Sequence, residues 1–314
     1  TAKDTAARAG RKNLIINGDF SVNQRGTGAT TGGTYLTADR WKAGATTVTF
    51  ETVANDRDLS IANMLKVTSH TNGYGIIVQA AEDVRTTSGQ NVTLSFWAKT
   101  ANFSSFRLEL QQNFGSGGSG TVTVVNNASY FSVPNTGWNQ YTATIAMPSI
   151  SGKTVGTSSY LNMVLGPNSG TSNGITYYSE VQLELGSVAT DFEHRSYGEI
   201  LADCQRYYEN SWYPDATRSA GIKWQSHSNN GATTTGWITD LLSFKVNKRS
   251  APSVSVWDGV DTINKMTRST WAVGTNHGQS GGVTEISEYH VVFYSATGSN
   301  RAFITCHWSA DAEL

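Results

Sequence analysis

The feature of this sequence that most constrains its fold is a repeated alternation of apolar and polar residues in short segments. In VTLSFWAK (92–99), Leu94 and Phe96 fall on one face of a strand and Trp97 falls on the other. Because successive side chains of a strand point to opposite faces, such a segment fits a sheet with one buried face. Similar patterns recur between loops rich in Gly, Ser, Thr and Asn, in segments 106–112, 140–147, 159–166 and 175–186. Strands at this spacing predict a two-sheet sandwich or a jelly roll.

One segment departs from that pattern. In FEHRSYGEILADCQRYYEN (192–210), apolar residues recur at the spacing of one helix face. Ser196 and Glu199 have the spacing at which a hydroxyl and a carboxylate satisfy the first free amides of a helix, and Asn210 is a suitable stop. Cys204 lies on the apolar face and is predicted to be a buried thiol. So short a helix is unstable alone in water, so we expect its apolar face to dock on a neighbouring domain.

The helical segment divides the chain into two β-rich parts, and the composition changes after it. Six of the nine tryptophans follow it, at positions 212, 224, 237, 257, 271 and 308. We therefore predict an all-β protein, in which a jelly-roll β-sandwich is followed by a short linking helix and a second, smaller β domain. The predicted boundaries are an N-terminal stub or end of an upstream stalk at 1–12, the jelly roll at 13–192, the helix at 193–210 and the second domain at 211–314.

Composition excludes several classes of protein. Charged residues make up 15% of the 314 residues and the net charge is −1, without a basic run, so we expect no nucleic-acid partner. No apolar run approaches the roughly 20 residues of a membrane helix, so we expect no membrane insertion. The two cysteines cannot form a disulfide framework. Polarity comes mainly from neutral residues, which suits a surface that hydrogen-bonds uncharged polar partners.

Three parts of the sequence resemble phage tail-fibre proteins. NLIINGDFSVNQRG…ADRW (13–41) resembles the opening strand of the carbohydrate-binding-module-like jelly roll in these fibres. VQLELGSVATDFEHRSYGEILADCQRYYEN (181–210) is similar to the segment that closes this domain and leads into the next. FKVNKRSAPSVSVWD (244–258) and the ending WSADAEL (308–314) are similar to their C-terminal β domain.

The resemblance implies a non-enzymatic receptor-binding protein of the virion. Such a protein is usually a homotrimer, contacts other tail or baseplate proteins, and attaches the particle to bacterial surface polysaccharide or lipopolysaccharide. Two non-enzymatic alternatives stay open: a structural or decorating fibre of head or collar without its own ligand, and a secreted bacterial glycan-binding protein made with a signal peptide.

A glycan depolymerase is a third alternative. The sequence has no GxSxG, HExxH or zinc-ligand spacing of Cys and His. Paired carboxylates can cleave glycosidic bonds, and a sequence does not show their distance in space. Asp56, Asp58, Glu82 and Asp83 lie in polar, loop-like surroundings that are typical of a solvated surface. No β-helix repeat of the kind found in depolymerase spikes is visible.

Alternation also suggests a sugar-binding face. If the strand faces align, one polar face combines an aromatic ring with planar hydrogen-bonding groups, and its residues are Trp97, Arg107, Glu109, Gln111, Asn162 and Gln182. The alternative is that this face is only solvated, or is covered by a neighbouring subunit. A rival site in the C-terminal domain uses exposed tryptophans, namely Trp212, Trp224 or Trp237, although packing is the ordinary role of such residues.

The resemblance raises one cofactor, a structural calcium ion. Jelly rolls of this general kind often hold calcium near the first strand, with ligands from an Asn-Gly-acid stretch and from a late acidic pair. Asn17, Gly18 and Asp19 match the first part, whereas Ser179 and Glu180 stand where the acidic pair is expected. Calcium takes about six to eight oxygen ligands, more than this match supplies. No other cofactor is expected.

Overall fold

The computed structural model of the chain describes residues 11–26, 30–31, 35, 37–44, 48–57, 60–69, 75–134, 137–167, 174–212, 224–227, 236–270, 274–297 and 302–314. It confirms the predicted all-β class, since the described residues form antiparallel strands and a single α-helix. The chain divides into two compact units. Unit 1 comprises residues 1–23 and 27–200 with Leu314, and unit 2 comprises residues 24–26 and 201–313.

Unit 1 is a β-sandwich. Its strands among the described residues are β1 (Thr30–Thr31), β2 (Lys42–Ala43), β3 (Val48–Ala54), β4 (Asn63–Ser69), β5 (Ile77–Glu82), β6 (Asn91–Thr100), β7 (Ser105–Asn113), β8 (Val122–Ser132), β9 (Asn139–Ala146), β10 (Tyr160–Pro167) and β11 (Ile175–Leu185). A short 3-10 helix, Val84–Thr87, precedes β6. Sheet A has the strand order β1-β3-β4-β11-β6-β9, and sheet B has the order β2-β5-β10-β7-β8.

Aromatic side chains join the two sheets of unit 1. Phe96 of sheet A and Phe106 of sheet B stack with ring centroids 6.4 Å apart. Phe106 also lies 6.0 Å from Tyr178 of sheet A. All three side chains are fully buried. Burial of one such ring contributes on the order of 2–3 kcal/mol, so the inward face of each alternating strand holds the sandwich together.

Buried polar contacts hold the segment that precedes β1 against the residues that follow it. The Asn17 side-chain amide donates to the carbonyl oxygens of Val22 and Asp39, at 2.9 and 3.0 Å. Trp41 Nε1 donates to the Asn17 carbonyl oxygen at 2.8 Å. Gly18 packs so closely that an added Cβ would lie 2.1 Å from the Val181 carbonyl oxygen. The Asn-Gly-acid stretch therefore has a structural role, in which Gly18 is required by the close approach of two backbones.

Unit 2 is a second β structure with its own core. Its strands among the described residues are β12 (Tyr208–Asn210), β13 (Trp224–His227), β14 (Gly236–Ser243), β15 (Ser253–Trp257), β16 (Lys265–Thr270), β17 (Gly274–Ile286), β18 (His290–Thr297) and β19 (Ala302–Asp311). The sheet order is β12-β19-β16-β17-β18-β14, and β13 and β15 also pair with β19. The core of this unit is formed by Phe244, Val256, Met266, Val291, Phe293, Cys306, Trp308 and Ala310.

The helix α1 (Tyr197–Gln205) is shorter than the predicted span of 193–210. It begins as expected, because Ser196 Oγ is bonded to Glu199 Oε2 at 2.8 Å and the Ser196 amide donates to the same carboxylate at 3.0 Å. It ends early because Tyr208–Asn210 pairs with β19, which satisfies the backbone groups that a longer helix would use. Cys204 is buried, as predicted. Within the part of the chain described, no helix is long and apolar enough to cross a membrane.

Candidate functional site

The outer face of sheet B gathers planar polar side chains. In β7, Phe106, Leu108 and Leu110 point into the sandwich, so the alternate positions point outward. These outward positions are Arg107, Glu109 and Gln111. Cross-strand pairing brings in one more predicted residue, since Asn162 of β10 lies opposite Gln111. On the other edge, Asn126 of β8 lies opposite Glu109. Sheet B therefore carries a polar row of five residues: Asn126, Arg107, Glu109, Gln111 and Asn162.

Hydrogen bonds fix the orientation of this polar row. Arg107 Nη2 donates to Glu109 Oε2 at 2.8 Å and to Asn126 Oδ1 at 3.1 Å. Gln111 Nε2 donates to the other carboxylate oxygen of Glu109. Glu109 is thus held between a cation and an amide, and its side chain keeps 14% of its surface exposed. This part of the row is preorganised, because the hydrogen bonds join the side chains of Arg107, Glu109, Gln111 and Asn126.

A groove adjoins the polar row across β10, β5 and β2. It encloses about 290 Å³, and its lining includes Arg40, Lys42, Ala80, Tyr160 and Asn162. Asn162 belongs to both the row and the groove, because it pairs with Gln111 on one side and Ala80 on the other. Arg40 Nη2 donates to the Ala80 carbonyl oxygen at 2.8 Å, which anchors the guanidinium beside the groove.

Two of the six predicted face residues lie elsewhere, so the assumption that all six share one face is wrong. Trp97 is in β6 of sheet A, where Arg57 Cζ lies 4.6 Å from the centroid of its ring. Gln182 is in β11 of the same sheet and is fully buried. Its amide donates to Glu184 Oε1 at 3.0 Å, and its carbonyl oxygen accepts from the Glu193 amide at 2.9 Å. Period-two alternation identifies outward positions but does not assign a strand to a sheet.

Of the three tryptophans predicted for the rival site in the second domain, the structure describes only the side chain of Trp212. Trp212 is 7% exposed and packs edge-on against Trp257, with centroids 5.6 Å apart. It is a packed residue and offers no open stacking face. Trp224 begins β13 and Trp237 lies in β14, but their side chains lie outside the described residues.

The residues proposed for calcium do not fit that ion. Asn17 Oδ1 accepts from the Val22 amide at 3.0 Å, and both protons of its amide nitrogen are donated to backbone oxygens. Glu180 forms an ion pair with Arg57. Asp19 is bonded to Ser21 Oγ at 3.0 Å, and burial raises the pKa of its carboxyl group. Among the residues that the structure describes, no group of three or more His, Cys, Asp or Glu is placed to hold a metal ion.

Four polar residues named above were not predicted from the sequence: Arg40, Lys42, Tyr160 and Asn126. Tyr160 and Asn162 alternate in SYLNMVLG (159–166), so the same period-two pattern that indicates Asn162 also indicates Tyr160. Asn126 lies on the edge strand β8. Its pairing with Glu109 could not be counted from the sequence, because the register between β7 and β8 shifts between Leu110 and Gln111. Arg40 has a positive φ of 72° outside any strand, so no periodicity points to it.

The chain has weak structural similarity to several solved proteins. It is similar to the enzymatically active domain of tailspike protein 4 of bacteriophage CBA120, at 20% identity and TM-score 0.35, over 55% of this chain and 21% of that chain. It is also similar to the CBM22-1 xylan-binding domain of Paenibacillus barcinonensis Xyn10C, at 16% identity and TM-score 0.33, over 51% of this chain and 94% of that domain. For TmCBM61 in complex with β-1,4-galactotriose, the identity is 11%, the TM-score 0.33, and the coverage 56% and 100%.

No protein-family model matches the sequence, and no curated protein matches it. Similarity at these TM-scores assigns no function to the chain. A function must therefore be argued from the geometry of the site.

Proposed function

We propose that this chain is a non-enzymatic glycan-binding protein and that the outer face of sheet B is its binding site. The observation that carries the proposal is the hydrogen-bonded polar row, which runs through Glu109 and Gln111 and continues past Asn162 into the groove. A sugar presents many hydroxyl groups that both donate and accept. Planar amide, carboxylate and guanidinium groups match them, and hydrogen bonds to the charged members are the stronger ones.

Preorganisation supports this reading. Glu109 is held by Arg107 and Gln111, so little side-chain entropy is lost when a hydroxyl binds to the row. The groove adds Tyr160, whose ring offers an apolar face beside the polar groups. A volume of about 290 Å³ is at the lower end of the range for ligand sites, which suits one or two sugar units in a longer chain.

The biological role that we propose is attachment of a phage or phage-like particle to bacterial surface polysaccharide. The support is the resemblance of 13–41, 181–210, 244–258 and 308–314 to tail-fibre proteins. Within this proposal the chain acts as a homotrimer on the virion. One shallow site binds weakly, but three sites on a trimer raise the effective concentration of the glycan, and several fibres raise it further.

Binding of the full chain to host cells and to their purified polysaccharide tests the proposed site. Gln111→Ala with Asn162→Ala should weaken binding roughly 10- to 100-fold, since each removes an amide from the face. The matched control is Gln90→Ala with Asn91→Ala, which removes two exposed amides of unit 1 at the start of β6 in sheet A. Unchanged binding by the first pair, in a protein that melts normally, would overturn the site.

A second readout tests the absence of catalysis. The wild-type chain incubated with the host polysaccharide should release no reducing ends above the level of a heat-denatured sample. If reducing ends appear and Glu109→Gln abolishes them, the chain is a depolymerase, and the non-enzymatic proposal fails while the location of the site stands.

A further inference from the structure

The outer face of sheet A carries residues that the proposed site does not use. Cross-strand pairing places Glu51 opposite Lys66 and Lys66 opposite Tyr177. Tyr177 in turn lies opposite Lys99. Trp138 immediately precedes β9, and its ring centroid lies 5.1 Å from Lys99 Nζ. With strands about 4.8 Å apart, this sheet A row crosses β3, β4, β11, β6 and the start of β9 over roughly 19 Å.

Contacts at one end of the sheet A row bring two aromatic rings, a cation and a carboxylate together. Trp138 and Tyr177 are half-buried, with ring centroids 6.5 Å apart. Lys99 Nζ lies 4.7 Å from the Tyr177 ring centroid and 2.5 Å from Asp56 Oδ2. Trp138 Nε1 donates to Asp56 Oδ1 at 2.9 Å, which fixes the carboxylate beside the ring.

Both charged groups keep hydrogen-bonding capacity that faces solvent. A carboxylate has about four acceptor sites and an ammonium has three donors, and the bonds just described use only part of each set. The Asp56 side chain is 55% exposed and that of Lys99 is 25% exposed. The bond to Lys99 lowers the pKa of Asp56, so the carboxylate stays ionised well below neutral pH.

The charges of this face balance in neighbouring pairs. Lys99 pairs with Asp56, and Lys66 pairs with Glu51. Because these charges are already paired with each other, the charges of an anionic or a cationic polymer would find no matching excess charge on this face. A neutral sugar with two neighbouring hydroxyls fits better, because one hydroxyl can donate to Asp56 while the other accepts from Lys99. The apolar C–H face of the ring can then lie against Trp138 or Tyr177.

We infer that the sheet A row is a second carbohydrate-binding site, separate from sheet B, which takes neutral hexose units with adjacent free hydroxyls. With two sites on opposite faces of one sandwich, a single protein molecule can bind two polysaccharide molecules at once, or bind one polysaccharide at two points. The inference does not depend on the proposed site, since the two faces have no residue in common.

Affinity electrophoresis of the full chain through gels that contain neutral galactan, mannan or glucan tests the inference. The sheet B variant Gln111→Ala with Asn162→Ala serves as the background, so that sheet B contributes little to the retardation. In that background, Trp138→Ala should weaken retardation by one of these polymers about 30-fold, as expected for a central aromatic contact. Asp56→Asn should weaken it about 10-fold, because the amide keeps the shape but loses the charge. Gln90→Ala is the control.

The outcomes separate cleanly. Retardation by a neutral polymer that both variants weaken, and that added salt does not change, supports the second site. Retardation that neither variant weakens overturns it. Absence of retardation by every neutral polymer in the sheet B background also overturns it. Retardation by polygalacturonate alone, lost at high salt, overturns the neutral class of ligand. If Trp138→Ala unfolds the protein, Tyr177→Ala removes the other ring, and it should weaken retardation together with Asp56→Asn.

Discussion

Lys248→Met should destabilise unit 2 strongly, because Lys248 is a buried cation with every proton in use. Its Nζ donates to Glu209 Oε2 at 2.6 Å, to the Gln205 carbonyl oxygen at 2.6 Å and to the Val246 carbonyl oxygen at 3.1 Å. The side chains of Lys248 and Glu209 are 0% and 1% exposed. Methionine keeps most of the apolar volume but leaves the Glu209 carboxylate buried without its cation.

The size of the effect follows from these contacts. Removal of one partner of a buried ion pair costs about 3–5 kcal/mol, mostly because the other charge stays buried and uncompensated. Loss of the two bonds to carbonyl oxygens adds to this cost, whereas the apolar methionine offsets part of it. We therefore expect the free energy of unfolding of unit 2 to fall by about 4 kcal/mol. For a unit of this size, that lowers its Tm by roughly 15 °C.

Scanning calorimetry of the full chain is the assay, because two compact units need not unfold in one transition. Lys245→Met is the matched control, since Lys245 is an exposed lysine three residues away and should change the Tm by no more than about 2 °C. Replacement of both partners, Lys248→Met with Glu209→Leu, should restore more than half of the lost stability. A Lys248→Met protein that melts within about 2 °C of wild type would refute the reasoning.

Three further predictions concern glycine packing, calcium and alkaline pH. Gly18→Ala should lower the free energy of unfolding, measured by chemical denaturation, by more than about 3 kcal/mol, because the new Cβ would lie 2.1 Å from a backbone oxygen. The Cβ of the control Gly120→Ala meets nothing within 4 Å, so this variant should lower it by less than about 0.5 kcal/mol. Equal effects of the two substitutions would contradict the prediction. Chelation of calcium should leave the Tm unchanged, since Asn17 and Glu180 are bonded to protein groups, and a lowered Tm would reopen a metal site. Burial lowers the pKa of Lys248 in the folded chain below its ordinary 10.5. At a pH between the folded and the unfolded pKa of Lys248, the unfolded chain therefore binds more protons than the folded chain. Stability of unit 2 should therefore rise with pH across that window, and Lys248→Met should remove the rise.

Alternation of side chains was sufficient to predict five strands of unit 1, namely β6, β7, β9, β10 and β11, and their inward-facing residues. Phe96, Leu108 and Leu110 are buried as the pattern requires, and Arg107 and Gln111 point outward. The reason is that a strand has a period of two residues whatever sheet it joins. Local patterns therefore identified four of the five residues in the polar row.

Assignment of strands to sheets could not be predicted from alternation. The segments 92–99 and 106–112 are neighbours in sequence but belong to opposite sheets, so Trp97 and Arg107 face opposite sides of the sandwich. A bulge between Ser179 and Gln182 adds a second difficulty, because one extra residue reverses the faces that follow. These features depend on pairing between distant segments, which a local pattern does not record.

The end of the helix was missed for a related reason. Ser196 and Glu199 mark its start through contacts three residues apart, which a sequence shows directly. Its end is set by pairing of Tyr208–Asn210 with β19, about 100 residues further along the chain. An apolar spacing that also fits a helix does not reveal that competition.

The side-chain amide resonances of Gln111 and Asn162 test the central claim most directly. In a two-dimensional NMR spectrum of the full chain, an oligosaccharide cut from the bound host polysaccharide should shift both amide pairs with one common Kd. The amides of Gln90 and Asn91, at the start of β6 in sheet A, should stay in place. Saturable binding that leaves the Gln111 and Asn162 amides unmoved would contradict the account.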